Sequence, residues 1–380
     1  MVDDKNNVKD EPPIDYGFAD LAKDIRIFLK PYYLKFFLST LLRFSGEIVW
    51  LYPAWALGQM TDFLTGYSAG QPMTYFWQLM GVWAAVAVYY FISRELSKYY
   101  SLEIAERTAL DARIMSMRHL FALDLAWHEK ENSGNKMKRI DNGADGLNQI
   151  VRTYFENLIE ASVSIVGVVL ILFSLDWKLS VGLWVFILSY YSLSYLFTRR
   201  ASAQARLVHQ REEEVEGESF ESLSNIQTIK AMGIGNSVSV RLSKSIEGLM
   251  AEIKKRIIYF RAREAFLNNY AIVVRLVAIA YIGYGIYQGR FEVGVLVMFY
   301  AYFDRIVRAT MEMSTITNTL FIQTVAVGRM MDILKVEPTI EVSGKKPMKS
   351  DWKVIKVKNL SFSYKDRLVL KNVSFVIGRC

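Results

Sequence analysis

An all-α membrane protein is the fold class the sequence predicts: six transmembrane helices with two long cytoplasmic helical hairpins, followed by the incomplete β start of a further domain. Three observations predict it. Met73 to Ile92 and Leu179 to Thr198 are runs of 20 residues without a charged side chain, and at about 1.5 Å per residue each crosses a ~30 Å hydrocarbon layer. Two connections, Ser93 to Asn157 and Arg199 to Glu264, are rich in Ala, Leu, Glu, Lys and Arg and contain no proline, as continued helices would. After Leu334 the pattern changes to alternating apolar residues, the period of a strand.

From the N-terminus, Met1 to Lys30 is hydrophilic and lacks the basic start, apolar core and cleavage site of a secretory signal. Within it Phe18, Leu21, Ile25 and Phe28-Leu29 recur at helical spacing before Pro31, which fits an amphipathic helix on the inner membrane surface. Four apolar stretches besides the two clean runs carry charges: Phe36 to Asp62 (Arg43, Glu47), Leu158 to Leu175 (Glu160), Ala265 to Gly289 (Arg275) and Val293 to Met313 (Asp304, Arg305, Arg308, Glu312). Six spans is the economical count. The short connections hold only Lys178 and Arg290 as basic residues, and the long ones are heavy in Lys and Arg. Excess cations mark the cytoplasmic side, so both termini and both long connections face the cytosol.

The net charge of +8 is therefore mostly a topology signal. Its cations are interspersed with acids rather than gathered on a soluble basic face, which argues against nucleic acid and for membrane lipids as the general partner. A lone cysteine, Cys380, excludes an internal disulfide framework, and His119, His128 and His209 lack metal-binding spacing. No metal site is expected.

Each long connection breaks near its middle, at Ser133-Gly134-Asn135 and at Gly233-Ile234-Gly235, so each reads as helix out, turn, helix back. The acidic run from Arg211 to Glu218 is a solvated helix face. In the tail, Ile355, Val357, Leu360, Phe362 and Tyr364 alternate, and Leu368 to Ile377 follows as a second strand. Two strands make no independent core, so this tail either docks on another chain or opens a larger cytosolic domain.

Residues from about 17 to 380 resemble the membrane half of an ATP-binding cassette (ABC) exporter, a half-transporter with a type I transmembrane domain and the first strands of its nucleotide-binding domain. The most specific segments are Thr324 to Leu334 followed by Pro338, similar to the family's exit from the sixth span, and Lys353 to Tyr364 with Val369 to Phe375, similar to the opening of the cassette. The resemblance divides the chain into a cytosolic tail and elbow helix (1–31), a six-span domain (32–335), a linker (336–352) and the start of the cassette (353–380). It implies that Tyr364 stacks on the adenine of ATP. It also makes the hairpin tips coupling helices that dock on nucleotide-binding domains, with Trp127, His128, Glu129 and Gly134 in the first and Phe220, Ile226 and Gln227 in the second. Gly134 and Arg139 keep the family's spacing. Gly143 stands where an aspartate is usual, and no proline interrupts the sixth span around Val307 to Met311.

No GxxxxGK[ST] loop occurs, so ATP and Mg²⁺ belong to the complete transporter and this chain is not expected to hydrolyse ATP alone. The resemblance further implies a second half-transporter as partner, an integral membrane location, most economically a bacterial inner membrane, and no catalytic residue in this chain. Charges inside a membrane face an interior or a watery cavity. Arg43, Glu47, Arg275, Asp304, Arg305 and Arg308 are thus candidates to line a substrate cavity or to pair with one another; Arg43–Glu47, Asp304–Arg308 and Arg308–Glu312 stand four apart, a spacing that permits pairing. An amphipathic lipid, peptide or drug-like cargo moved by alternating access is the expectation. The rival is a non-enzymatic bundle, regulatory or channel-like, that docks a separate cytosolic partner.

Overall fold

A computed structural model describes residues 16–128, 133–338, 352–364 and 367–379. Eleven α-helices and two strands are found among them: α1 (Phe18–Leu29), α2 (Tyr33–Val49), α3 (Tyr52–Thr65), α4 (Thr74–Ala122), α5 (Leu125–His128), α6 (Ser133–Thr153), α7 (Ile159–Leu175), α8 (Trp177–Ser224), α9 (Ile226–Met232), α10 (Gly235–Tyr287), α11 (Val293–Leu334), β1 (Val354–Tyr364) and β2 (Arg367–Gly378). Windows within α4, the α6–α7 unit, the first part of α8 and α10 are long and apolar enough to cross a membrane. The α2–α3 pair and α11 are the stretches in which charges interrupt the apolar run.

The first apolar stretch is not one helix. It breaks at Trp50-Leu51 between α2 and α3, where Pro53 at the head of α3 offers no amide hydrogen to the preceding turn. A second irregularity is a π-helical turn, Tyr154–Leu158, joining α6 to α7, with the Ile159 N–H bonded to the Tyr154 carbonyl. The first hairpin also turns earlier than its glycine suggested. Helix α4 stops at Ala122, α5 intervenes, and Gly134 lies inside the first turn of α6, because one glycine costs a helix only about 1 kcal/mol. The second hairpin breaks where expected, with Gly233 at φ +68° closing α9, a conformation glycine adopts without strain.

The membrane-level core is built from α2, α4, α7, α8, α10 and α11, with Tyr190, Phe186, Phe299, Tyr302 and Phe303 at its centre. A second core lies beyond the first, where Leu21 and Phe28 of α1 meet Ala109 and Ala112 of α4, Ala144 and Leu147 of α6, and Val327 and Met330 of α11. Helix α1 thus turns much of its apolar face into the bundle and leaves Phe18 and Ile27 outward. Its buried Asp24 accepts from Tyr16 Oη (3.2 Å) and lies 3.6 Å from Lys335 Nζ.

Small side chains set the helix spacing. On α4 the buried Ser93, Ser97, Ser101, Ala105, Thr108, Ala112 and Ser116 form a stripe three or four residues apart, which lets helix backbones approach closely. Gly46 of α2 faces Ser93 across one such crossing. Gly143 of α6 faces Met330 of α11, whose Sδ would lie 3.0 Å from a Cβ built at Gly143. Restoring the acid usual at that position, Gly143→Asp, is therefore expected to destabilise the chain by about 1–3 kcal/mol through overpacking, read as a lowered unfolding temperature in detergent.

Strands β1 and β2 pair antiparallel, from Val354 opposite Gly378 to Tyr364 opposite Arg367. Leu360, Phe362, Val369 and Phe375 are exposed, as two strands without a packed third layer must be.

Candidate functional site

The intramembrane charges gather into two groups. In the first, Arg43 and Glu47 of α2 pair at 2.9 Å one helical turn apart. Glu47, fully buried, also takes Arg305 Nη2 from α11 at 2.9 Å. Arg43 Nη2 reaches Glu160 of α7 at 3.0 Å. Two arginines and two glutamates thus form a chain Glu160–Arg43–Glu47–Arg305 whose formal charges cancel, the condition under which ions survive burial.

The remaining donors are met by irregular backbone. Arg43 Nε donates to the Phe155 carbonyl (3.1 Å) on the π-helical turn, and a π turn leaves carbonyl groups out of the regular ladder. Arg305 Nη1 donates to the Trp50 carbonyl (3.0 Å) at the α2–α3 break, and its Nε to Ser164 Oγ (2.8 Å). Tyr302 Oη bonds the neighbouring Leu51 carbonyl at 2.9 Å, and Tyr90 Oη donates to Glu47 at 3.2 Å. The two breaks in helical regularity are therefore where the arginines dock.

The second group joins α10 to α11. Arg275 Nη2 lies 3.2 Å from Asp304, which also takes Arg308. The Arg275 guanidinium stands 4.8 Å from the Tyr300 ring centre and 5.2 Å from that of Phe303, a cation–π arrangement that shields it. Of the pairs allowed by spacing, Arg43–Glu47 and Asp304–Arg308 form. Glu312 takes the amide of Asn157 instead of Arg308.

Beside the first group opens a polar cleft of about 220 Å³, lined by Arg94 and Lys98 of α4 together with Arg43, Glu156, Glu160 and Glu312. Neither Arg94 nor Lys98 was a candidate from the sequence. They stand just past the uncharged run that marks the span, where cations read as topology markers.

Where α4 gives way to α5 and α6, Trp127 packs with Leu120, Leu123, Ile140 and Ile333, and Lys136 Nζ sits 4.7 Å from its ring centre while donating to the His128 carbonyl at 2.8 Å. His128 Nε2 bonds the Leu120 carbonyl at 3.0 Å. Both residues face the bundle. The outward apolar side chains are Phe121 and Leu125, 78% and 66% exposed. Glu129 lies outside the described residues. At the second tip Phe220, Leu223, Ile226 and Met232 are exposed, as is Gln227. Behind it, Ser245 and Arg241 of α10 hold the Glu218 carboxyl of α8 below the ordinary carboxylate range, fastening the two arms. His119 Nε2 lies 2.8 Å from the Val336 carbonyl, and Arg139 donates to the Arg329 carbonyl at 3.0 Å; together they tie the first hairpin to the end of α11.

Tyr364 ends β1; its side chain is outside the described residues.

The family model described as ABC transporter transmembrane region matches residues 36–311. Among curated proteins, the chain is similar to the beta-(1→2)glucan export ATP-binding/permease protein NdvA of Bradyrhizobium diazoefficiens, 21% identical over 74% of this chain and 47% of that protein. NdvA of Nitrobacter winogradskyi is 22% identical over 84% of this chain and 53% of its own length. The mitochondrial iron-sulfur clusters transporter ATM1 of Yarrowia lipolytica is 24% identical over 74% of this chain and 40% of its length. The chain spans about half the length, or less, of these relatives.

Proposed function

The chain belongs to the ABC transporter transmembrane region family, and on that premise we propose that it is the membrane half of an ATP-driven exporter with six spans. It works as a dimer of half-transporters and moves an amphipathic cargo by alternating access. The relatives' printed names, export ATP-binding/permease protein and iron-sulfur clusters transporter, support ATP-driven export, and the two NdvA sources support a bacterial inner membrane.

The observation that carries the coupling role is the exposed apolar tip. Phe121 and Leu125 stand outward while Trp127, His128 and Lys136 brace the tip from behind. A solvent-exposed apolar cluster on a rigid support is what a docking partner would cover. We assign that partner to a nucleotide-binding domain, with ATP and Mg²⁺ held there and Tyr364 stacking on adenine. Closure of two such domains would move the tips, and the helices bearing the charge groups would re-open toward the other side. The polar cleft beside Arg43 would receive cargo from the cytoplasmic side.

The test is ATP-dependent cargo movement in vesicles containing the product of the complete reading frame. Phe121→Ser with Leu125→Ser should lower coupled transport at least about tenfold, the scale of losing a few apolar interface contacts, while the unfolding temperature holds. Trp127→Ala should lower the unfolding temperature as well. Transport that ignores the Phe121/Leu125 pair would remove the coupling assignment.

A further inference from the structure

The cleft beside Arg43 draws its unpaired cations from one helix and its acids from others. Arg94 and Lys98, one turn apart on α4, are exposed, and neither makes a salt bridge among the described residues; Arg94 stands 5.9 Å from the Tyr90 ring centre. The acidic wall is built from the Tyr154–Leu158 turn, α7 and α11. There Glu156 makes no side-chain bond among the described residues, Glu312 takes Asn157, and Glu160 holds Arg43. Apart from the Arg43–Glu160 pair, no ion pair joins the cations and acids of this cleft of about 220 Å³ among the described residues, so Arg94 and Lys98 are left facing the site with Glu156 and Glu312. Two cations and two acids without salt bridges give the site both signs of charge and no net charge.

The depth is also defined. From the outer ends of their helices at Thr74, Leu175 and Val293, Lys98 lies about 36 Å along α4, Glu160 about 22 Å along α7 and Glu312 about 28 Å along α11. With a hydrocarbon layer ~30 Å thick, these side chains bracket the headgroup level of the cytoplasmic leaflet.

We propose that this cleft binds a zwitterionic headgroup, a phosphate linked to a primary amine, with the phosphate on Arg94 and Lys98 and the ammonium between Glu156, Glu160 and Glu312. This rests on the membrane orientation taken above and names the cargo class of the same site. An anion alone would meet the acidic wall, and a cation alone the basic one. A group carrying both satisfies each wall with charge-assisted hydrogen bonds.

The test is native mass spectrometry of the complete chain in detergent micelles doped with equal phosphatidylethanolamine and phosphatidylglycerol, without nucleotide. The unsubstituted chain should retain phosphatidylethanolamine about fivefold over phosphatidylglycerol, a modest charge-matching preference. Glu156→Gln with Glu312→Gln should reverse that preference toward the anionic lipid. Arg94→Gln with Lys98→Gln should abolish retention of both. All four positions are at least partly exposed, so the folded fraction should hold, checked by size-exclusion chromatography. Free phosphoethanolamine is added as a competitor: displacement of the lipid shows that the headgroup alone suffices and a soluble zwitterion is the source, and no displacement shows that the acyl anchor is required; both uphold the zwitterionic site. Equal retention of the two lipids by the unsubstituted chain, or the same response to both pairs of substitutions, overturns it. Because no ATP is present, failure here leaves the exporter reading standing, and a transporter that fails to move cargo with ATP leaves this binding result standing.

Discussion

Replacing Glu47 with leucine is expected to cost about 3–5 kcal/mol, because it removes the one carboxylate paired with Arg305 among the described residues and one of the two paired with the buried Arg43. Arg43 would keep Glu160 and the Phe155 carbonyl, whereas Arg305 would keep only Ser164 and the Trp50 carbonyl. The expected result is loss of a monodisperse folded species in detergent at temperatures the unsubstituted chain tolerates. The cause is separable from packing. Combining Glu47→Leu with Arg305→Met removes the orphaned cation and leaves the Arg43–Glu160 pair, so the double variant should be more stable than Glu47→Leu alone. Such a non-additive recovery is the signature of coupled charges. Equal or greater loss in the double variant would mean that Glu47 acts through shape and not through charge.

A second large effect is expected where α3 crosses α11. A Cβ built at Gly58 would lie 2.9 Å from the Gly294 carbonyl oxygen and 3.0 Å from Met298 Cβ, and one at Gly294 would collide with the Gly58 carbonyl and the Asp62 carboxylate. Asp62 meanwhile accepts from the Gly294 amide at 2.5 Å. Gly294→Leu must push the helices apart and break that bond, for a loss of roughly 3 kcal/mol or more. Gly283 provides the internal control, because a Cβ there meets nothing within 4 Å. Gly283→Ala should be neutral or stabilising by about 0.5–1 kcal/mol, and thermal unfolding of the two variants side by side checks both.

Much of the architecture was legible because hydropathy and charge act over long windows. The uncharged runs, the helical arms and the strand alternation after Leu334 each rest on periodicities that the structure reproduces. The Gly233 turn was legible for a local reason, since only one glycine conformation closes α9 there. Gly134 misled because a lone glycine inside a helix costs little, and α6 absorbs it in its first turn. The buried Arg43–Glu47 pair and the exposed Asp304–Arg308 pair stand at the spacing of four that permitted them. Glu47 with Arg305 and Arg43 with Glu160 do not, because partners 258 and 117 residues apart are set by helix packing. Trp127 was visible as a tip residue, but its side cannot be read without knowing that Lys136 and Ile333 lie behind it. Phe121 and Leu125, the outward pair, straddle the break between the end of α4 and the four-residue α5, so no single period covers both.

The π-helical turn at Tyr154–Leu158 also changes the phase of the helix that contains it. One extra residue in a turn advances every following side chain by about 100° around the axis. The α6 portion therefore shows Gly143 and Gly146 to α11 on one bearing, and the α7 portion shows Ala161 and Ser164 on another. A single-residue deletion within 154–158 would remove that surplus residue and restore an unbroken helix with both faces kept, closing the turn whose Phe155 carbonyl receives Arg43 Nε. The chain holds α6 and α7 in register like two gears cut a tooth apart, and that offset is stored in one residue.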